Sequence, residues 1–400
     1  MIHVNSYLHR VEFHDLVRRW MYNDPAPDDA DRIARLVHFN NTYIARYLHR
    51  FSEWMFGALH PAAELRRFTA RTKAEVKDAI GANPPYVNPR IAELLSDYRE
   101  HPEHFYRETP FDGTLFFAGQ NGRELYAGST RIKRVRRLAE KAARRIVDRI
   151  FEAIKLHAEA LAENRARALG IPIRSLLTEP QDMVSEFLWA EKRLQEDLRT
   201  RRKLPLDEEL VINDVAGIKV ILDDAIQPRV LELLRANSAC EIVEVEPHKG
   251  VYNATNLIVD HRPDKAAIAA LPLSRPLLEL MQLRGHDPAD LQRDFKAFVE
   301  TGEESVYLEL IICNYQEMLE SEIGRCMHED RIIQQRLQQE YRGHLSKNVE
   351  YLMEYMFAVA HSRHRRIDAL PIKLWNRYLA DFFDDAIKGL YDIPSSHLYL

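Results

Sequence analysis

The segment ELVINDVAGIKVILDD, residues 209–224, decides the fold class of this chain. Its apolar residues are mostly Val and Ile and show little polar alternation, which is typical of a strand buried on both faces of a sheet. Further toward the C-terminus, three more runs have strand character: CEIVEVE (residues 240–246), NLIVDH (256–261) and SVYLELIICN (305–314). The segment IQPRVLELLRANS (226–238) has the spacing of a short helix. Together these elements predict a unit in which strands and helices are mixed.

Helical regions flank this unit on both sides. Apolar residues recur at helical spacing from residue 5 to about residue 82, and again after Asn314. Only 14 of the 400 residues are glycine, about half of the usual share of roughly 7%. Since tight turns depend on glycine, this composition favours helix. We therefore predict a helix-dominated α+β chain, with a mixed β-sheet core between N- and C-terminal helical regions.

The chain is also too long for a single hydrophobic core. The predicted segments are an N-terminal helical unit (residues 1–128), a long basic helix with a linker (129–174), the sheet-containing unit (175–330) and a C-terminal helical region (331–400). A hairpin with Asn121-Gly122 at its turn closes the first unit. Ser129 is predicted to cap the basic helix.

The composition excludes several classes of protein. The net charge of −5 does not suggest a histone-like nucleic-acid binder. The cysteines Cys240, Cys313 and Cys326 lack CxxC spacing, so they predict neither a disulfide framework nor a zinc site. The sequence shows no signal peptide and no run of about 18 apolar residues. We expect a cytoplasmic protein with no membrane partner.

Two carboxylates stand out within the predicted strands. Alternate side chains of a strand share a face, so Glu309 stands between Tyr307 and Ile311 in an otherwise apolar strand. A buried carboxylate is costly unless it is paired or binds a metal. Asp214 stands at the head of the first strand, where it can converge with Glu309. Two such groups suit one Mg²⁺, which prefers carboxylate and phosphate oxygens; a simple turn cap is the other interpretation of Asp214.

Three segments, in order, resemble the synthetase domain of RelA/SpoT-like proteins. NDVAGIKVI (residues 213–221) resembles that family's Asp-x-x-Gly-Ile-Arg signature. PHKGVYNATNLIV (247–259) resembles its Pro-Lys-x-Asn-Gly-Tyr-x-x-x-His segment, and YLELIICN (307–314) its Glu-x-Gln-Ile-Arg-Thr strand. The resemblance spans residues 175–330.

This resemblance implies a nucleotidyltransferase-like fold and a Mg²⁺-dependent transfer of pyrophosphate. The donor would be ATP and the acceptor the 3′-hydroxyl of a guanine nucleotide or of an RNA 3′ end. Asp214 would hold Mg²⁺ on the ATP phosphates, and Glu309 would share the metal or take the proton of the attacking hydroxyl. Tyr252 would stack on guanine, while Lys219 and Lys249 would neutralise phosphates.

The sequence departs from the family pattern at several positions. Ile311 and Cys313 replace a Gln and an Arg, and neither side chain can bind phosphate or a base edge. Asn256, which we also predict to bind substrate, replaces a His. The family's Arg-x-Lys, found shortly before the first helix of the domain, is absent ahead of Ser185. These departures support an alternative function, a catalytically inactive relative that binds a nucleotide or RNA as a sensor or regulatory protein.

The basic segment at residues 131–149 bears on both functions. It carries nine Lys and Arg residues against two acidic ones. Such a surface can contact RNA or nucleotide phosphates. The simpler interpretation is a solvated helix face paired with acidic groups of the N-terminal unit. The family has an arginine at the position of Cys313. Catalysis would be favoured if another arginine, from this segment or from Arg193 or Arg199, took its place.

Overall fold

A computed structural model gives the architecture of the chain. It describes residues 2–120, 122–176, 179–201, 210–250, 253–338, 341 and 343–393. Helices surround one seven-stranded mixed sheet. This confirms the prediction of a helix-dominated α+β chain.

The first third of the chain forms helices and one half of the sheet. Its elements are β1 (Ile2–Val4), α1 (Arg10–Met21), α2 (Asp29–Leu59), β2 (Leu65–Thr72), α3 (Lys73–Ala82), α4 (Pro89–Glu100), β3 (Pro110–Gln120) and β4 (Arg123–Ile132), with a 3₁₀ turn at Pro102–Phe105. A capping box between Thr72 and Glu75 begins α3. The side chain of Asn88 caps α4, which has Pro89 in its first turn.

The middle of the chain supplies a helical pair and most of the other strands. Its elements are α5 (Val135–Ala168), α6 (Pro180–Arg199), β5 (Leu210–Ile212), β6 (Ala216–Ile221), α7 (Pro228–Ala236), β7 (Cys240–His248) and β8 (Ala254–His261), with a 3₁₀ turn at Ile173–Ser175. The predicted strand at residues 209–224 is therefore two strands. They separate at Asn213–Val215, and β5 pairs with β1 in a small sheet of its own.

The last third is mainly helical. Its elements are α8 (Lys265–Ala269), α9 (Arg275–Leu283), α10 (Pro288–Thr301), β9 (Val306–Cys313), α11 (Tyr315–Ile323), α12 (His328–Leu337), α13 (His344–His361) and α14 (Ala380–Leu390). No helix in the described part of the chain has the length and apolar character needed to cross a bilayer.

The sheet crosses the predicted boundary between the N-terminal unit and the rest of the chain. Its order is β2-β3-β4-β6-β9-β8-β7, and only the β6–β9 pair is parallel. The predicted hairpin is present as β3 and β4, and β4 continues to Ile132 because it pairs with β6. Ser129 therefore lies opposite Lys219 in the ladder and does not cap a helix; α5 begins at Val135.

The two faces of the sheet differ in what covers them. One face packs on α2 as part of the main hydrophobic core, through residues such as Ile218, Leu310 and Leu257. The other face is apolar around Cys313, where it joins a second core with α3, α4 and α11. Away from Cys313, the second face carries charged side chains. This charged region contains three of the predicted site residues, Asp214, Lys219 and Glu309.

Candidate functional site

Arg131, Gly217 and Glu309 are neighbours on adjacent strands. The register pairs Arg131 of β4 with Gly217 of β6, and Gly217 with Glu309 of β9. The Arg131 guanidinium donates to Glu309 Oε2 at 2.8 Å. A Cβ atom at position 217 would lie 3.1 Å from Arg131 Nε and 3.3 Å from its Cγ. The absence of a side chain at Gly217 therefore makes room for this ion pair.

Asp214 is held by two lysines. Its Oδ2 is 2.5 Å from Lys133 Nζ and 2.6 Å from Lys141 Nζ. Lys133 directly follows β4, where its backbone N–H donates to the carbonyl of Val215 at 2.8 Å. Lys141 reaches the same carboxylate from the second turn of α5. The other carboxylate oxygen, Oδ1, is buried and has no hydrogen-bond partner among the described residues.

The charges of these groups are strongly coupled. Burial opposes ionisation of Asp214, but Lys133 and Lys141 outweigh it and hold the pKa of its carboxyl well below the usual value. Burial lowers the pKa of Lys133 to about 8, with Asp214 acting in the opposite direction. Burial also disfavours the charged form of Arg131, yet Glu309 and Asp214 together raise its pKa. Arg131 thus interacts with both carboxylates.

We call these five residues, Arg131, Lys133, Lys141, Asp214 and Glu309, the Arg131 cluster. It contains three cations and two carboxylates, and so carries one net positive charge when all are ionised. Each of the five side chains is at most one-third exposed. An arrangement with surplus positive charge and partial solvent access can bind a polyanion by exchanging its internal partners.

Asp214 and Glu309 belong to one cluster because Arg131 interacts with both of them, and each carboxylate is engaged by cations. For Mg²⁺, the pair offers hard oxygen ligands of the type the ion prefers. Asp214 Oδ1, buried without a hydrogen bond, is available as one such ligand. The donor set therefore fits a Mg²⁺ ion that arrives with phosphates and takes its remaining ligands from them and from water.

Lys219 lies on the same face of the sheet, two residues after Gly217. Its Nζ is 3.3 Å from Ser321 Oγ and 3.6 Å from Glu322 Oε1. Glu322 also pairs with Lys73 of α3 at 2.7 Å. Although burial alone would raise it, Lys73 and Lys219 lower the pKa of Glu322. Lys219 is thus near the predicted phosphate site and is already paired with a carboxylate.

The other predicted substrate-binding residues are spread along the sheet. Asn256 is in register with Ile311, and its Oδ1 is buried without a hydrogen-bond partner among the described residues. Lys249 is exposed in the loop between β7 and β8, at the end of the sheet opposite to Asp214. In this loop, the backbone N–H and the side-chain amide of Asn253 donate to the Glu317 carboxylate at 3.1 and 2.8 Å. Tyr252 lies outside the described residues.

Cys313 lies on the same face of the sheet as Glu309, but at the other end of β9, inside the second core. It is 1% exposed and packs in the second core. Burial raises the pKa of its thiol to about 12. The guanidinium beside Glu309 comes instead from Arg131, an arginine of the basic segment, while Arg199 pairs with Glu196 on its own helix.

Sequence reasoning missed Arg131, Lys133 and Lys141 as site residues. The signal was present, because Arg131-Ile132-Lys133 is an Arg-x-Lys that directly precedes a long helix. Sequence reasoning considers such a pattern only ahead of Ser185 in α6, whereas Arg131 and Lys133 precede α5. The expectation that the basic segment pairs with acids of the N-terminal unit is wrong for these residues, since their partners are Asp214 and Glu309.

Comparison of the chain with protein-family models, with curated proteins and with solved structures gave no match in any of the three.

Proposed function

We propose that this chain is a RelA/SpoT-like pyrophosphotransferase with a nucleotidyltransferase-like core. The donor is ATP, and the acceptor is the 3′-hydroxyl of a guanine nucleotide or of an RNA 3′ end. The observation that carries the proposal is the convergence of Arg131, Lys133 and Lys141 on Asp214 and Glu309. These residues join the Arg-x-Lys, Asp and Glu motifs of the resemblance at one place on one face of the sheet.

The roles of the residues follow from their charges. Phosphoryl transfer depends on positioning and on neutralisation of phosphate charge, with little covalent participation by the protein. The planar guanidinium of Arg131 can donate hydrogen bonds to two phosphate oxygens, while Lys133 and Lys141 act as point charges. Glu309, released from Arg131 by the incoming phosphates, accepts the proton of the attacking hydroxyl. Asp214 and Glu309 would hold Mg²⁺, and the ion would supply further charge neutralisation on the phosphates.

The reaction balances without another reactant. The acceptor 3′-oxygen forms a bond to the β-phosphorus of ATP, and the bond between that phosphorus and the α,β-bridging oxygen breaks. AMP leaves, and the acceptor proton passes to Glu309. The products are AMP, a 3′-diphosphorylated acceptor and one proton.

A direct assay uses ATP labelled at the γ-phosphate, Mg²⁺ and a panel of acceptors: GDP, GTP and tRNA. We expect label on at least one acceptor together with an equal amount of AMP. The variants Asp214→Asn and Glu309→Gln should lose this transfer, provided that circular dichroism shows that they fold. Bound ATP with no transfer to any acceptor would contradict the proposal.

The second candidate function is nucleotide binding without turnover, as a sensor or regulatory protein. The observation that favours it is that both carboxylates are already paired with cations, while Ile311 and Cys313 supply no replacement polar groups. It predicts that ATP raises the melting temperature while no transfer occurs. Unchanged melting across a panel of nucleotides would contradict both candidates.

A further inference from the structure

The helix α12 is attached beside the Arg131 cluster almost entirely through polar contacts. Glu329 lies 3.3 Å from Lys73 Nζ and 3.5 Å from Lys77 Nζ, both on α3. Near the other end of the helix, Arg336 donates to Glu140 of α5 at 2.8 and 3.0 Å. The helix therefore connects two elements that border the charged face of the sheet.

Apolar packing contributes little to this attachment. Glu329 is the only buried side chain of α12. Ile333 is 39% exposed and Leu337 is 59% exposed. The ion pair of Arg336 with Glu140 is largely exposed, and exposed ion pairs stabilise only weakly. Because most helices in proteins are stabilised by an apolar face, α12 should detach at low cost at this end.

The Glu329 contacts are themselves incomplete. Both of its carboxylate oxygens are buried, and neither has a hydrogen-bond partner among the described residues. Its ion pairs with Lys73 and Lys77 are longer than the 2.7 Å pair between Lys73 and Glu322. A buried carboxylate without hydrogen bonds is only partly compensated for its lost hydration. Release into water would restore that hydration.

The first residue of α12 lies next to the proposed phosphate site. The His328 ring is partly buried, and burial together with the nearby charges of Lys73 and Arg131 lowers its pKa well below the ordinary value. Lys73 in turn shares Glu322 with Lys219. A chain of ion pairs thus runs from the charged face of β6 to Glu329 on α12.

We infer that α12 is an autoinhibitory strap that is released when a polyphosphate binds. Without ligand, Glu329 and Glu322 pair with Lys73, Lys77 and Lys219, and α12 lies beside the site. The phosphates offer these lysines a partner of higher charge, and α12 leaves with Glu329. This inference rests on the proposed function, because it assumes that the Arg131 cluster binds polyphosphate.

The strap has a thermodynamic consequence. If only the released state is fully competent to bind, the apparent dissociation constant exceeds the intrinsic one by the inverse of the released fraction. Removing the ion pair between Arg336 and Glu140 should raise the fraction of molecules in which α12 is released. Both residues lie outside the Arg131 cluster, so their substitution changes the strap without changing the phosphate ligands.

The test measures inorganic tripolyphosphate binding by titration calorimetry and hydrogen exchange of residues 328–337 in the full chain. We expect exchange in this segment to increase at saturating tripolyphosphate. Arg336→Gln and Glu140→Gln should each bind about three- to fivefold more tightly, as expected for loss of one exposed ion pair. The double variant should bind no more tightly than either single variant.

The control Gln335→Ala, on an exposed position of the same helix, should bind tripolyphosphate with the affinity of the unaltered chain.

The results of these measurements distinguish failure of the strap hypothesis from failure of the proposed function. If tripolyphosphate binds but exchange in residues 328–337 is unchanged and Arg336→Gln binds with unaltered affinity, the strap is wrong and the phosphate site stands. If neither the unaltered chain nor Arg336→Gln binds tripolyphosphate or ATP, both the strap and the proposed function are wrong. Melting temperatures of all variants establish that differences in binding do not come from unfolding.

Discussion

Arg131 reaches Glu309 across Gly217, with 2.8 Å between the guanidinium nitrogen and the carboxylate oxygen. The two residues are 178 positions apart in the chain, and the sheet places them on strands that flank a third. This ion pair joins the basic segment to the acidic strand. The guanidinium of Arg131 therefore lies beside the central carboxylate, although Cys313 of the same strand supplies no positive charge.

Gly217→Ala should weaken this ion pair. A methyl group would approach Arg131 Nε to 3.1 Å and force the long side chain to shift. We expect a loss of about 1 kcal/mol in the free energy of unfolding and weaker ATP binding. Gly57→Ala is the matched control, since a Cβ there meets no atom within 4 Å and the α2 helix should gain up to about 1 kcal/mol. Equal effects of the two substitutions on ATP binding would contradict this role of Gly217.

Asp214→Asn should destabilise the protein at neutral pH. The substitution leaves the charges of Lys133 and Lys141 partly buried without their carboxylate, at an expected cost of about 2–3 kcal/mol after allowance for partial exposure. Urea unfolding measures this cost. The control Asp97→Asn, at an exposed position, should change stability by less than about 0.5 kcal/mol.

The effect of Asp214→Asn should also depend on pH. The folded-state pKa of Asp214 is lowered, so its contribution to stability is complete above its unfolded pKa and is lost as pH falls toward the folded value. The stability difference between the unaltered chain and Asp214→Asn should therefore shrink below about pH 4. A difference that stays constant from pH 7 to pH 3 would contradict the assigned ion pairs.

ATP affinity should fall as pH rises through about 8, the pKa of Lys133. Below this pH the ammonium is charged and attracts phosphate, and above it the neutral amine does not. Lys133→Arg keeps its charge at all accessible pH values, so its affinity should remain constant from pH 7 to pH 9. Titration calorimetry over this range decides the point. Parallel pH profiles for the two proteins would show that another group titrates.

Cys313→Arg should not restore a family-like active site. The thiol is buried among apolar side chains of the second core, so an arginine there would be an unpaired buried charge. We expect failure to fold or a loss of more than about 3 kcal/mol, whereas Cys313→Ala should cost about 1 kcal/mol. Thermal melting separates the two. A stable Cys313→Arg protein with increased transfer would place Cys313 in the site.

Runs of apolar and β-branched residues predicted most of the sheet, whereas the short strand β1 and the polar strand β2 were missed. Residues 305–314 were predicted as a strand, and β9 spans Val306–Cys313. The edge strand β2 was missed because its sequence, LRRFTART, is mostly polar and exposed and shows no alternating pattern. The predicted strand at residues 209–224 breaks at Asp214, where the side chain turns to Lys133 and Lys141.

The acidic half of the Arg131 cluster was predicted from the sequence, and the basic half was missed. Asp214 and Glu309 stand out because carboxylates are rare in apolar strands. Arg131 and Lys133 were assigned to a helix, since Ser129 is a good capping residue and helical spacing follows it. Only the pairing of β4 with β6 reveals that these residues lie beside Asp214, which is 81 positions away from Lys133. No local pattern in the sequence encodes that pairing.

The central claim is that the cations of the Arg131 cluster bind the phosphates of a nucleotide. Titration calorimetry of ATP with Mg²⁺ into Lys133→Gln/Lys141→Gln, compared with the unaltered chain, tests it most directly. The matched control is Arg144→Gln/Arg145→Gln, which removes the same charge from α5 without touching the cluster. We predict at least a tenfold loss of affinity in the first protein, and less than a twofold loss in the control, as expected for direct and for screened phosphate contacts. Equal losses in the two proteins, or no loss in either, would contradict the claim.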